Sequence, residues 1–288
     1  PLAHKTLSNL SNSSGTAITT DSVTTATAGT AVTSSQTNYA TALNTAVNIT
    51  EAATANYVLN SLSCTDTNSG VTGNTGTFAS LATNTATINA AAIKYGANIL
   101  CTFNNTKQRT LTLRKTWVNA RLNDAATITA TGLNSFASVA DSANETDTAA
   151  AQAVNVGSTI TLGENISTGV GLYNAALACT QTSDGAAVAL TGNNLTMPDA
   201  DVTCGYTNSR KSANLTLSKV WSNAKLNDAI NITATGLTTF SSVANAANET
   251  DNAAAQTVYA GDNISFSETF TTGIASNYNA ALACTGNT

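Results

Sequence analysis

The chain repeats itself, and the repeat limits what it can fold into more than any other feature. The segment LTLRKTWVNARLNDAATITATGL (111–133) returns as LTLSKVWSNAKLNDAINITATGL (215–237), which sets Trp117 and Trp221 104 residues apart. NETD at 144–147 recurs at 248–251, AAAQ at 149–152 recurs at 253–256, and YNAALACT at 173–180 recurs at 278–285. A fainter copy comes first: Lys5-Thr6-Leu7-Ser8-Asn9 matches Lys115-Thr116-Trp117-Val118-Asn119, and Cys64 and Cys101 stand where Cys179 and Cys204 stand later. A fixed period of this length marks a tandem array of similar modules. Three units follow, 1–108, 109–212 and 213–288, the third stopping short of the segment that carries Cys101 or Cys204 in the others.

The cysteines fit that division. None forms a CxxC pair and no histidine cluster stands near them, so disulfides in an oxidising compartment are expected and zinc is not. The counterpart pairs are Cys64–Cys101 and Cys179–Cys204, while the partner of Cys284 is expected outside this chain. Either a longer protein or another subunit could complete the third unit.

Each unit reads as all-β. Stretches such as STITLGE (158–164) and NISFSE (263–268) alternate apolar and polar residues, the pattern of a half-buried strand. About 100 residues of short strands fit an Ig-like β-sandwich. The Ala-rich piece 147–154 is short enough for a helical turn at most.

Composition excludes several functions. Of 288 residues, 11 are Lys or Arg and 16 are Asp or Glu, giving a net charge of −5, which does not supply the clustered cations that phosphates need. No apolar run is long enough to span a bilayer. The single histidine, His4, leaves no His-centred triad or multi-His metal site. No cofactor is expected, and no enzyme activity.

Charged residues are scarce, so their positions carry information. Residues i, i+2 and i+4 of a strand share a face. Leu111, Leu113, Lys115 and Trp117 therefore point one way, as do Leu215, Leu217, Lys219 and Trp221. Val47, Ile49 and Glu51 share a face, as do Ile160, Leu162 and Glu164, and Ile264, Phe266 and Glu268. Near the unit ends Ile99, Cys101, Phe103 and Asn105 align, as do Val202, Cys204, Tyr206 and Asn208. Lys, Glu and Asn are each delivered to an apolar face. Burial favours the neutral forms of amine and carboxyl, and a neutral amine can attack an amide carbon. Two outcomes stay open for each trio, a covalent Lys–Asn amide and a buried Lys–Glu pair hydrogen-bonded to Asn; a third possibility is that the strand register exposes them.

At these residues the chain resembles the prealbumin-like, Cna-B/SpaA-type repeat domains of bacterial surface adhesins and pilins. The order is Lys in the first strand, Glu ahead of an aromatic, then Asn in a closing C-x-[FY]-x-N strand, here CTFNNTKQ (101–108) and CGYTNSRK (204–211). The resemblance implies autocatalytic isopeptide trios of Lys5, Glu51 and Asn105, then Lys115, Glu164 and Asn208, with Lys219 and Glu268 in the third unit. It also implies an extracellular, cell-surface structural protein whose partners are neighbouring repeats or subunits. The alternative is an adhesive module that binds a glycan or host protein through its loops.

Weaker candidates have simpler readings. NETD with Asp141 or Asp124 could offer oxygen ligands to Ca²⁺, but the spacing is that of a solvated loop. Trp117 and Trp221 could stack on a sugar, yet alternation places them in the core.

Overall fold

Threonine- and valine-rich alternation becomes strand along most of the computed structural model, which describes residues 4–12, 17–35 and 37–286, with side chains from Asp21 onward. In the first repeat β1 (His4–Asn12), β2 (Ala17–Thr24), β3 (Val47–Glu51), β4 (Tyr57–Asp66), β5 (Ala79–Ala82) and β6 (Thr85–Ile88) follow one another. All but β4 form one antiparallel sheet in the order β2-β1-β3-β6-β5. Val47, Phe78, Ile88 and Ile93 are the buried core beneath it.

The next strand belongs to two repeats. β7 runs from Ile99 to Val118, 20 residues without a break. Its first part pairs with β4, and its second part opens the next sandwich. That sandwich adds β8 (Ala125–Ala130), β9 (Phe136–Val139), β10 (Asn144–Thr148), β11 (Gln152–Asn155) and β12 (Thr159–Thr168). It is completed by β13 (Tyr173–Gln181), β14 (Ala187–Val188), β15 (Asn194–Thr196) and β16 (Val202–Arg210). One sheet runs β10-β7-β16-β13-β14 and the other β15-β12-β8-β9. Leu111, Leu113 and Val202 from the first sheet meet Ile128, Leu162 and Leu195 from the second in one buried cluster. Each such side chain stabilises the fold by roughly 1.5–3 kcal/mol. The Ala-rich piece 147–154 is not helical: β10 and β11 both fall on it, because each has β7 to hydrogen-bond to.

The third repeat contains β17 (Ser212–Leu215), β18 (Ser218–Trp221), β19 (Ala229–Ala234), β20 (Phe240–Val243), β21 (Glu249–Asn252), β22 (Gln256–Tyr259) and β23 (Phe266–Thr272). β18 pairs with β21, and β20-β19-β23 form the facing sheet, as in the second repeat. Trp221, Ala224, Ile230 and Ala244 are its buried cluster. Residues 278–286, which match β13 in sequence, lie outside any strand.

Each disulfide joins residues directly opposite on neighbouring antiparallel strands. Cys64 of β4 pairs with Cys101 of β7, and Cys179 of β13 with Cys204 of β16. Cys284 is free and exposed.

Candidate functional site

The site of the second repeat is built by its first and last strands lying side by side. β7 and β16 are parallel neighbours, with Tyr206 opposite Lys115 and Asn208 opposite Trp117. Alternation turns Lys115, Trp117, Tyr206 and Asn208 inward, and Lys115 and Asn208 are both 0% exposed. β12 in the facing sheet carries Ile160 and Leu162 into the core and, two residues on, sends the Glu164 side chain to the same place.

One oxygen of Glu164 meets both partners. Lys115 Nζ lies 2.9 Å from Glu164 Oε1, and Asn208 Nδ2 donates to that same Oε1 at 3.0 Å. Lys115 Nζ is buried with this ion-pair contact to Glu164 as its polar partner. Asn208 Oδ1 is buried without a donor. Leaving a buried polar atom unsatisfied costs about 1–3 kcal/mol. Desolvation pushes the Lys115 pKa below its ordinary 10.5, against the opposing pull of Glu164. The amine, the amide and a carboxylate able to carry a proton between them are thus gathered in a dry site.

The first repeat brings two members of its trio together. Asn105 Nδ2 donates to Glu51 Oε1 at 2.6 Å, and Glu51 is buried. The side chain of Lys5 lies outside the described residues, but its strand is placed. β1 pairs with β3, Leu7 standing opposite Glu51 as Ile128 of β8 stands opposite Glu164. β1 therefore takes the seat of β8, where the sequence match of Lys5 to Lys115 suggests the seat beside the asparagine strand. Both seats accept an alternating strand, so alternation alone does not choose between them. In the third repeat Lys219 Nζ donates to both Glu268 oxygens, at 3.0 and 3.2 Å, and the pair is partly open to solvent.

The weaker candidates have internal partners. Glu145 of NETD accepts from the backbone N–H groups of Asp141 and Ser142. Asp147 accepts from Ser138 Oγ, and Asp124 accepts from Arg121 and from the Tyr173 hydroxyl at 2.6 Å. Burial and that bond to Asp124 push the Tyr173 hydroxyl up to about 12. Gly169 shapes this corner: at φ +81, a Cβ there would sit 2.3 Å from Asp124 Oδ2. Trp117 and Trp221 are core residues, each with its indole N–H donated to a buried serine, Ser138 or Ser242, at 2.8 Å. The partnership of Ser138, Asp147 and Trp117 did not emerge from reading the strands one at a time. Its signal lay in the repeat, since Ser138 recurs as Ser242 and Asp147 as Asp251 at the spacing of the two tryptophans.

Comparison with known proteins agrees with this architecture. The family model described as a prealbumin-like fold domain matches residues 9–107. The chain is a tandem of all-β units resembling the Cna-B/SpaA-type repeats, and its first repeat carries the family's domain. Among solved structures it is similar to two B repeat units (B1B2) of the collagen binding protein (Cna) of Staphylococcus aureus. Identity is 13%, the alignment covers 93% of this chain and 62% of that one, and the TM-score of 0.30 is too low to carry an argument. No curated protein matches the chain. Among the described residues no helix is long and apolar enough to cross a membrane.

Proposed function

We propose that the chain is a structural repeat segment of an extracellular bacterial fibre, filament or large surface adhesin. Its units are 1–108, 109–212 and 213–288; the first two each contain a disulfide, and the second is further stapled by a Lys115–Asn208 isopeptide bond. The observation that carries this reading is the single Glu164 oxygen in contact with both Lys115 Nζ and Asn208 Nδ2.

The chemistry follows from that contact. Glu164 lies within proton-transfer reach of both nitrogens, as an acid–base group must. The Lys115 amine attacks Cγ of Asn208, and the C–Nζ bond forms as the C–Nδ2 bond breaks. Two of the three Nζ protons pass over Glu164 Oε1 to Nδ2, which leaves as ammonium. Holding both reactants in one dry site replaces a bimolecular encounter, an advantage of about 7–11 kcal/mol for well-aligned groups. The reaction occurs once in the second unit, with no turnover, so the protein modifies itself and is not an enzyme. The product removes the buried amine and gives the first and last strands a covalent tie.

Intact mass of the reduced chain tests the proposal. The expected result is a mass lower than the sequence by one ammonia for the second unit, abolished by Glu164→Ala, with a branched peptide containing Lys115 and Asn208 after digestion. An unshifted mass with no branched peptide overturns the covalent reading.

A further inference from the structure

A second arrangement surrounds Lys115 and recurs around Lys219. Lys115 Nζ stands 4.0 Å from the centre of the Trp117 ring. The Trp117 indole N–H donates to Ser138 Oγ at 2.8 Å, and the Ser138 hydroxyl donates to Asp147 Oδ2 at 2.7 Å. Asp147 is the residue of β10 directly opposite Lys115 of β7. The chain of contacts therefore leaves Lys115, crosses to β9 in the facing sheet, and returns to the lysine's own cross-strand neighbour. In the third repeat Lys219 Nζ stands 4.6 Å from the Trp221 ring, Trp221 donates to Ser242 at 2.8 Å, and Ser242 donates to Asp251 at 2.6 Å. Asp251 is again directly opposite the lysine.

We propose that Ser138 and Asp147 are positioning residues for the Lys115–Asn208 bond, locking the Trp117 ring so that its face holds the amine dry and directed at the asparagine. Ser242 and Asp251 hold Trp221 in the same way beside Lys219. The proposal rests on the isopeptide reading above and adds to it the groups that aim the nucleophile.

The geometry supports an orienting role over a chemical one. The serine hydroxyl has one proton, and Asp147 fixes its direction; the lone pair facing Trp117 is then the acceptor for the indole. Two hydrogen bonds so placed leave the indole one ring orientation. Tyr173 also packs edge-on against Trp117, at 5.2 Å between centroids. An amine on a fixed aromatic face is shielded from water on that side, and misplacing a reacting group by about 1 Å can cost about 100-fold in rate. Asp147 accepts from Ser138 through Oδ2, and Glu164 is the carboxylate in contact with the amine.

The test follows the branched Lys115–Asn208 peptide over time after cell-free synthesis of the full chain, chased at a series of pH values. Ser138→Ala and Asp147→Ala are expected to slow bond formation about tenfold or more, because a loosened ring misplaces the amine. They are also expected to move the pH profile of the rate upward by about one unit, since water readmitted to Nζ favours its charged form. Asp147→Asn, which still accepts from Ser138, is expected to restore both rate and profile. Formation of the Cys179–Cys204 disulfide in each variant reports folding, and Asp147 lies at a half-buried edge position where truncation leaves the core intact. Wild-type rates in both alanine variants overturn the positioning role while leaving the isopeptide reading standing. So does slowing with an unshifted profile and no rescue by Asp147→Asn. Absence of the branched peptide from the wild-type chain overturns both.

Discussion

A buried carboxylate keeps its charge when enough donors face it, as Asp66 does; Asp124, also buried, meets its donors in another way. Asp66, buried at the end of β4, accepts from the Thr72 hydroxyl, from the backbone N–H groups of Asn98 and Asn68, and from the Asn74 amide. Those donors, Thr72 foremost, hold it at about 2 against the opposite push of burial. A carboxyl held below its ordinary 3.8 contributes stability that is complete above that value and is lost as pH falls from about 4 to about 2. Protection of the Asn68 and Asn98 amides, measured against intrinsic exchange at each pH, should therefore fall across that window. In Asp66→Ala, which removes both acceptor oxygens, protection relative to intrinsic exchange should be low already at neutral pH and change little on acidification; a wild-type protection profile flat from pH 4 to 2 refutes the assignment. Asp124 instead accepts from Arg121 and Tyr173 in a corner that only a glycine at 169 leaves room for. Alternation named Lys115, Glu164 and Asn208 correctly as inward-facing. It could not say that one oxygen would touch both nitrogens, because that depends on how far the facing sheet stands from β7.

At the scale of elements, the two junctions between repeats differ by a matter of parity. From Asn105 to Lys115 the count of positions is even, so one uninterrupted strand can turn both side chains inward, and β7 is that strand. From Asn208 to Lys219 the count is odd, and the strand must break to turn both inward. The break falls at Lys211, between β16 and β17. Each junction is also clamped by charge. Lys107 and Arg109 meet Asp199 in the first, and Arg210 meets Asp262 in the second. Exposed pairs of this kind contribute about 0–1 kcal/mol each, so the continuous strand is the stronger coupling. Gln108 lies at its midpoint, its N–H donated to the Asn56 carbonyl at 2.7 Å. Gln108→Pro removes that donor and should broaden the distance distribution between spin labels on the first and second repeats, with both disulfides still formed. An unchanged distribution would mean that β7 does not set the angle between the repeats.

For the molecule as a whole, the staples join different pairs of strands and should combine. The disulfides close separations of 37 and 25 residues and join adjacent strands within a sheet. In the chain-entropy account each is worth roughly 3–4 kcal/mol. Replacing Cys179 and Cys204 by alanine should therefore lower the second repeat's unfolding free energy by roughly that amount. Urea titration followed by Trp117 fluorescence in a Trp221→Phe background would measure it, and a change below about 1 kcal/mol would contradict the entropic account. The proposed Lys115–Asn208 amide joins first strand to last, so tension entering one and leaving the other would pass the hydrogen-bonded interior by.

Sequence alone determined the tandem repeat, the all-β class and the strand face that Lys115 shares with Leu111, Leu113 and Trp117, because period and alternation are local properties written into the order of residues. The tertiary structure decided what depends on which strands become neighbours. It seated β1 beside β3 instead of beside the asparagine strand, carried β7 unbroken through a junction, and set Ser138 of the facing sheet between Trp117 and Asp147. An alternating strand fits more than one seat in a sandwich, and packing between sheets chooses among them.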